Sequence, residues 1–234
     1  MTGMVSPADA TWPRLLSLAV HELRTPATVV GGYLRMVLKD RAGPLSEDQR
    51  RLLQEAEKSC GRISALLAEM SDLAHLELGD APFQQQPVDL AVVVRDVVEG
   101  AGTGPDLAAI TLSDTGEPAE LLGDAARLGA ALAALMRCVQ RELPTATSIV
   151  VGRQSRPGST VVAIGTADTV SVLADADEGG PAFDELRGGM GMSLPLARRV
   201  IERHGGRLIV LPGKPKAGVA VVFPARPPAA RASI

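Results

Sequence analysis

Aromatic residues are scarce in this chain, where they make up only 2% of 234 residues. The rings are those of Trp12, Tyr33, Phe83, Phe183 and Phe223. Proteins that bind single-stranded nucleic acid stack the bases on exposed rings, so this composition argues against that class of function. With so few rings, the hydrophobic core must be built from leucine, valine and alanine.

Cysteine, net charge and long apolar runs are also limited. Cys60 and Cys138 lack the spacing of a metal site, and each falls in a helical pattern, so we expect two buried thiols and no bound metal. The net charge of −3 gives no basic field for nucleic acid or an acidic membrane. No apolar run reaches the roughly 18 residues that a membrane helix needs, and no signal peptide begins the chain. We therefore expect a cytoplasmic chain with no membrane segment and no nucleic-acid partner.

What is present is a globular composition, with 46% apolar and 22% charged residues, and a length that suits one large domain or two small ones.

Two heptad patterns occupy the first third of the chain. Their apolar positions are Leu16, Val20, Leu23, Ala27, Val30, Leu34 and Val37, then Leu53, Ala56, Cys60, Ile63, Leu67, Met70 and Ala74. A break at 41–44 separates them, and Ser46 suits a helix N-cap. The pattern predicts an antiparallel hairpin, and two copies would complete a four-helix bundle, so we expect a homodimer.

The remainder of the chain alternates short strands with helices. We predict strands at 108–112, 148–151, 160–164, 207–211 and 218–223, and helices at 124–143 and 194–204. The fold class is therefore α+β, with helices covering one face of a mixed sheet. The predicted boundaries are an N-terminal extension at 1–11, the hairpin at 12–78, a linker at 79–87, the α/β domain at 88–224 and a flexible tail at 225–234.

The segment around His21 has the residue types of a reactive site. If Val20 and Leu23 point inward, His21 and Glu22 flank the helix seam, and Thr25 lies one turn further along. An exposed imidazole can act as a nucleophile near neutral pH, and a neighbouring carboxylate can orient it or take its proton. Pro26 cannot donate a backbone hydrogen bond, so a bend is expected there. An isolated His-Glu pair on a helix is, however, more often a solvated polar flank.

The run HELRTP at residues 21–26 resembles the H box of bacterial sensor histidine kinases. The second heptad helix resembles that family's second dimerisation helix, and PVDLAVVVRDVVEG resembles the entry into its ATPase-like domain, so the resemblance spans 12–224. It implies a dimerisation and histidine phosphotransfer hairpin followed by an α/β sandwich of the histidine kinase ATPase-like type. It further implies that His21 is the phospho-acceptor, Glu22 the general base, and Thr25 the residue that orients a water for dephosphorylation.

The family's nucleotide boxes, carried over to this chain, fall on unsuitable residues. The two asparagine positions of the N box fall on Ala134 and Cys138, and Arg141 takes the usual lysine position. A soft thiol is a poor replacement for a magnesium ligand. The adenine-reading aspartate of the G1 box falls on Thr166, unless Asp168 replaces it after a two-residue slip.

The G2 box keeps Gly189 and Gly191, in a loop before a helix that could cradle an anion. Carboxylates that would oppose a triphosphate occupy the expected nucleotide lid: Asp168, Asp175, Asp177, Glu178, Asp184 and Glu185. These departures together predict a degenerate ATPase-like domain that has kept its fold and lost ATP.

Three functions follow from the resemblance. The first is phosphoryl transfer between His21 and the receiver domain of a response regulator, or dephosphorylation of that receiver, with magnesium bound by the receiver and not by this chain. Histidine phosphotransferases with an inactive nucleotide domain are a variant of this family. The second is an active ATP-dependent sensor histidine kinase. The third is a non-enzymatic scaffold that only binds a receiver. For docking we predict the flank of the first helix that includes Val29, Gly31 and Arg35.

Overall fold

The computed structural model of the chain describes residues 7–80, 83–101, 108–114, 119–143, 146, 148–176, 192–210 and 218–224. The chain divides into two compact units, Met1–Ala81 and Pro82–Ile234. The predicted helical hairpin followed by an α/β sandwich is confirmed. In the described part of the chain, no helix combines the length and the apolar character that crossing a membrane requires.

The first unit is a hairpin of two long helices, α1 (Pro7–Leu38) and α2 (Glu47–Leu78). Helix α1 therefore begins inside the stretch predicted as an N-terminal extension, and it continues through Pro26. Ser46 caps α2 as predicted, because its Oγ accepts from the Gln49 amide at 3.2 Å and the Gln49 side chain accepts from the Ser46 amide at 2.9 Å.

Arg50 fastens the turn between the two helices. Its guanidinium donates to the Leu38 carbonyl at 2.8 Å and to the Asp40 carboxylate at 2.7 Å. Asp40 itself has a φ of 57°, a left-handed conformation that aspartate tolerates better than most residues. One side chain thus closes the end of α1 onto the start of α2.

The heptad stripe is only partly buried within the chain. Val20, Cys60 and Leu67 are buried as predicted. Leu23 and Ile63 are 52% and 51% exposed, so the single chain leaves open these two positions of the stripe, which the predicted bundle would cover. The large apolar side chains exposed on the hairpin are Trp12, Leu15, Leu18, Leu23, Val29, Val30, Tyr33, Met36, Leu52, Ile63 and Leu66. Two helices can cover only one side of each stripe, which leaves this broad apolar surface open.

The second unit contains two sheets in its described part. Strands β1 (Gln86–Asp89) and β3 (Glu120–Gly123) pair in antiparallel fashion. The larger sheet has the order β2-β4-β5-β7-β6, in which β2 is parallel to β4 and the other pairs are antiparallel. Its strands are β2 (Ala109–Asp114), β4 (Ser148–Arg156), β5 (Ser159–Gly165), β6 (Arg207–Ile209) and β7 (Gly218–Pro224). Gly158, with a φ of 77°, makes the tight turn between β4 and β5.

Helices cover both faces of the larger sheet, which corrects the prediction that they cover one. The helices are α3 (Leu90–Gly100), α4 (Ala125–Glu142), α5 (Ala167–Asp175) and α6 (Ser193–Arg203). Val162 and Ile164 of β5 face α3 and α4. Val161 and Ala163 alternate with them and pack instead against Leu173 of α5. The unbroken apolar run at 161–164 is typical of a strand that is buried on both faces.

Small side chains in the sheet let α5 approach closely. A Cβ atom added to Gly152 would lie only 2.7 Å from the Val170 methyl group of α5. Ala163 and Ala220 complete this shallow floor, and both are fully buried. Because interiors are close-packed, the fit between α5 and the floor contributes directly to the stability of the second unit.

Leu173→Ala tests the packing of α5 on the larger sheet. Leu173 is fully buried, at 0% exposure, so its truncation should lower the free energy of unfolding of the second unit by about 2–5 kcal/mol. The matched control is its neighbour Val172→Ala, which is 53% exposed and should change it by less than about 0.5 kcal/mol. Urea titration of the full chain, read by hydrogen exchange of the β5 and β7 amides, measures both. Equal effects would show that α5 is not packed on the sheet.

Candidate functional site

His21 and Glu22 lie side by side on the exposed surface of α1. Their side chains are 78% and 73% exposed, and the His21 Nδ1 lies 3.4 Å from the Glu22 Oε1. Val20, which is buried, fixes the orientation of this turn, because the next residue of a helix points about 100° away from it. The result is an accessible imidazole with a carboxylate against one ring nitrogen and its Nε2 directed away from that carboxylate.

Thr25 lies one helical turn after His21 and is also exposed. The structure therefore brings the three predicted catalytic residues onto one accessible side of α1. The helix runs past Pro26 without interruption, and the Thr28 hydroxyl donates to the Arg24 carbonyl at 2.8 Å in the same turn. His21, Glu22 and Thr25 are thus presented by a regular helix and not by a loop.

The predicted docking flank requires a correction at Gly31, which is buried. A Cβ atom at Gly31 would lie 3.2 Å from the Cys60 Sγ, so this glycine lets α2 approach α1. Val29 is exposed as predicted, and Tyr33 and Met36 continue the exposed apolar strip on the same side as His21. Their spacing of four and three residues was a signal that pointed to this strip.

The N-box positions lie on α4, inside the second unit. Ala134 is buried and Cys138 is 0% exposed. The Arg141 guanidinium lies 3.2 Å from the Glu142 Oε1 and 4.0 Å from the Cys138 Sγ. A fully enclosed thiol offers no oxygen ligand to magnesium, so these residues do not fit that ion. Among the described residues, no group of three or more His, Cys, Asp or Glu side chains could hold a metal ion.

The G1 position is occupied by the start of a helix. Thr166 is the N-cap residue of α5, and its amide donates to the Thr169 Oγ1 at 3.0 Å. Asp168 is exposed in the first turn of α5, where its negative charge suits the helix N-terminus. The segment that the resemblance identifies with the G1 box is therefore helical in this chain.

The G2 glycines, Gly189 and Gly191, lie outside the described residues, as do four of the six carboxylates assigned to the lid. The described part resumes at Met192, and α6 begins at Ser193. Of the two remaining carboxylates, Asp175 lies 3.7 Å from the Arg156 guanidinium.

The other two histidines have structural contacts. His75, in the last turn of α2, places Nδ1 3.0 Å from the Asp80 carboxylate. His204 is buried at the C-terminus of α6, where its Nδ1–H donates to the Val200 carbonyl at 2.6 Å and its Nε2 accepts from the Asp124 amide at 3.0 Å. Desolvation by burial lowers the pKa of His204 from its ordinary value.

Comparison with known proteins gives a direct match for the hairpin. Residues 13–79 match the family model of the His Kinase A (phospho-acceptor) domain. The phosphate regulon sensor protein PhoR of Pseudomonas aeruginosa is 29% identical over 206 residues, which cover 83% of this chain and 46% of that protein. The circadian input-output histidine kinase CikA of Synechococcus elongatus is 25% identical over 217 residues, covering 88% of this chain and 29% of that protein. The chain spans less than half the length of these curated relatives.

Solved structures resemble the whole arrangement of elements. Full-length ShkA in complex with AMPPNP aligns with a TM-score of 0.67 and 20% identity, covering 91% of this chain and 45% of that one. The Acinetobacter baumannii histidine kinase AdeS aligns with a TM-score of 0.56 and 18% identity, covering 88% of this chain and 98% of that one. At these identities the likeness establishes the fold alone.

Proposed function

We propose that this chain belongs to the histidine kinase family of two-component signalling, with a phospho-acceptor hairpin followed by an ATPase-like α/β domain, and that it carries out phosphotransfer at His21. The partner in this proposal is the receiver domain of a response regulator. The observation that carries the proposal is the exposed His21-Glu22 pair on the hairpin, with Nδ1 and Oε1 3.4 Å apart. Glu22 can hold the Nδ1–H tautomer, which leaves the Nε2 lone pair free to react.

The transfer step needs only groups that this geometry supplies, together with a phosphorylated receiver. The neutral His21 Nε2 attacks the phosphorus of the receiver's aspartyl phosphate, an N–P bond forms, and the P–O bond to the aspartate breaks. The aspartate departs as a carboxylate, and the positive charge that develops on the His21 ring is stabilised by Glu22. The reverse step returns the phosphoryl group. Magnesium acts on the receiver, where it neutralises the charge of the phosphoryl oxygens.

Dephosphorylation of the receiver is the other reaction within this proposal. Here a water molecule attacks the aspartyl phosphate, and phosphate leaves without labelling His21. The Thr25 hydroxyl, one turn from His21 on the exposed side of α1, can orient that water by hydrogen bonding. The two reactions therefore depend on different side chains of the same helix.

The docking surface in this proposal is the exposed strip of α1 that begins at His21. Val29, Tyr33 and Met36 give it an apolar character, and Arg35 lies at its edge. An apolar strip with a polar margin is the usual composition of a protein interface. We infer a homodimer from the separate apolar stripe that includes Leu23 and Ile63, because a second hairpin would cover it as a four-helix bundle.

Loss of nucleotide binding is part of the proposal and is supported by two sites in the second unit. Cys138, at the position of the magnesium-contacting asparagine, is fully buried and carries a soft sulfur atom. Thr166, at the position of the adenine-reading aspartate, is the N-cap residue of α5. A threonine carries no negative charge, and a helix there lacks the backbone freedom of a glycine-rich hinge.

The second candidate is an active ATP-dependent histidine kinase. It is supported by the relatives, which are histidine kinases by name, and by the similar structure of ShkA, which was solved in complex with AMPPNP. A third candidate is a scaffold that binds a receiver without chemistry. Nucleotide binding distinguishes the first two candidates, and labelling of His21 distinguishes the first from the third.

The dimer inference predicts that the chain sediments at about twice 24.3 kDa at micromolar concentration. Leu23→Glu or Ile63→Glu should raise the dissociation constant at least about a hundredfold, because each buried leucine or isoleucine contributes roughly 2–3 kcal/mol per chain. Val92→Glu, a change at an exposed valine in the second unit, is the control and should leave the mass unchanged. A wild-type chain that stays monomeric would contradict the bundle.

The nucleotide inference predicts that neither ATP nor ADP binds with micromolar affinity in the presence of magnesium. Isothermal calorimetry on the full chain measures this directly. Cys138→Asn together with Thr166→Asp restores the family's residue types and serves as a comparison. Micromolar binding by the wild-type chain would contradict the inference and favour the active kinase.

The phosphotransfer inference predicts that His21 exchanges phosphate with at least one receiver from a panel of phosphorylated response regulators. His21→Ala should abolish labelling of this chain while binding remains, because docking uses the strip below it. Thr25→Ala should slow loss of phosphate from the receiver and leave labelling of His21 intact, since Thr25 acts on water. The measurement follows radiolabel on both proteins. If no receiver loses phosphate and His21 stays unlabelled, the scaffold candidate is favoured.

A further inference from the structure

His204 joins three parts of the second unit that are distant in sequence. It stands at the end of α6 and accepts the Asp124 amide hydrogen at the N-terminus of α4. Its ring also packs against Phe83, with the ring centroids 4.6 Å apart and the ring planes tilted by 53°. The Arg203 guanidinium covers the same Phe83 ring at 5.8 Å. One buried imidazole therefore contacts α4 and the segment that leads into β1.

The hydrogen bonds of His204 require a neutral ring. Its Nδ1 must carry the hydrogen because it faces the Val200 carbonyl, and its Nε2 must be unprotonated because it faces the Asp124 N–H. Gly123 lies against the ring so closely that a Cβ atom there would overlap it. The ring consequently has little space in which to move while these contacts last.

Asp124 extends this arrangement to the neighbouring residue, Gln84. One carboxylate oxygen caps α4 by accepting from the Arg127 amide at 3.1 Å, and the other accepts from the Gln84 amide at 3.3 Å. Phe83 is held by the His204 ring and Gln84 by the Asp124 carboxylate. Both anchors of residues 83–84 thus belong to a single hydrogen-bonded pair.

We propose that His204 and Asp124 form a pH-sensitive latch that holds residues 83–84 on the α/β unit and releases them when His204 is protonated. Protonation places a second N–H opposite the Asp124 N–H, so that two donors face each other at the observed 3.0 Å. Either the His204 ring moves away from Phe83, or the Asp124 carboxylate turns to accept the new Nε2–H. The second response gives up the bonds to Arg127 and Gln84, so both responses loosen the segment.

The charges around His204 determine the direction of this pH dependence. The hydrogen bond to the Val200 carbonyl and the charge of Asp124 favour the imidazolium, whereas Arg127 on α4 opposes it. Burial is the largest effect, and it lowers the pKa of His204 below 6.5. The unfolded chain takes up the proton first as the pH falls. The stability contributed by neutral His204 is therefore present above pH 6.5 and is lost as the pH falls through the folded-state pKa.

The position of the latch along the chain gives it a role that does not depend on phosphotransfer. Phe83 and Gln84 are the first described residues of the second unit, after the Gly79 cap that ends α2. Release of these residues lengthens the tether between the hairpin and the α/β unit. Acidification would therefore free residues 83–84 from the α/β unit.

Hydrogen exchange on the full chain tests the latch. Protection of residues 83–86 and of the Asp124 amide, corrected for intrinsic exchange, should fall about tenfold per pH unit below the folded-state pKa. In His204→Gln an amide oxygen can accept from Asp124 without titrating, so protection should stay within about twofold at all pH values. His75→Gln is the matched control, because it removes the partner of Asp80 in the other unit and should follow the wild type.

Three results would overturn the latch. The first is wild-type protection at residues 83–86 that does not change between pH 7.5 and pH 4.5. The second is an equal loss in His204→Gln, and the third is simultaneous loss of protection in β5 and β7, which would show global unfolding. If His204→Gln does not fold, an NMR titration of the wild-type chain decides: the His204 ring and the Gln84 and Asp124 amides should share one midpoint. Different midpoints would reject the coupling.

Discussion

Two helices cannot bury the whole apolar stripe that each of them carries, and this limit determines how the hairpin can function. Val20 on α1 and Cys60 and Leu67 on α2 are buried in the covered stripe, and this burial fixes the rotation of α1. That rotation exposes His21 and Glu22 to solvent on one side and Leu23 on another. An exposed histidine and an uncovered apolar surface are therefore two consequences of one packing arrangement. A site for a partner protein and a surface for a second copy can coexist on this helix because they lie at different angles around it.

Much of this fold was predictable because its elements have strong periodic patterns and clear end signals. The heptad steps identified α1 and α2, and Ser46 identified the start of α2. Helix α5 was not predicted, because the resemblance assigned these residues to the G1 box. We also expected helices on only one face of the sheet that contains β5. Gly31 was placed on the wrong side because a glycine has no side chain whose polarity reveals its face. Its step of four residues from Ala27 nevertheless puts it on the buried stripe, against Cys60.

The candidate site was predictable to different degrees in the two units. On α1 the reactive group consists of neighbouring residues on one helix, so spacing alone determines that His21 and Thr25 share a side. In the second unit the relevant contacts come from residues far apart in sequence. Nothing in the pattern around His204 reveals that its ring meets Asp124 and Phe83, which lie about 80 and 121 residues earlier. Only the folded arrangement of α4, α6 and β3 brings them together.

The two units also differ in how much of their chemistry is lost when one residue changes. A nucleotide site needs an oxygen ligand, an adenine contact and a flexible loop at the same time, and in the proposed loss of nucleotide binding Cys138 and Thr166 each remove one of these. Phosphoryl exchange with a receiver needs one exposed imidazole, because the partner contributes the metal and the acyl phosphate. Leu173 and His204 are not among the nucleotide positions, so their contacts can hold the α/β unit whether or not it binds a nucleotide. A chain that has lost the first chemistry can therefore retain the second, with its fold held by interactions that neither reaction uses.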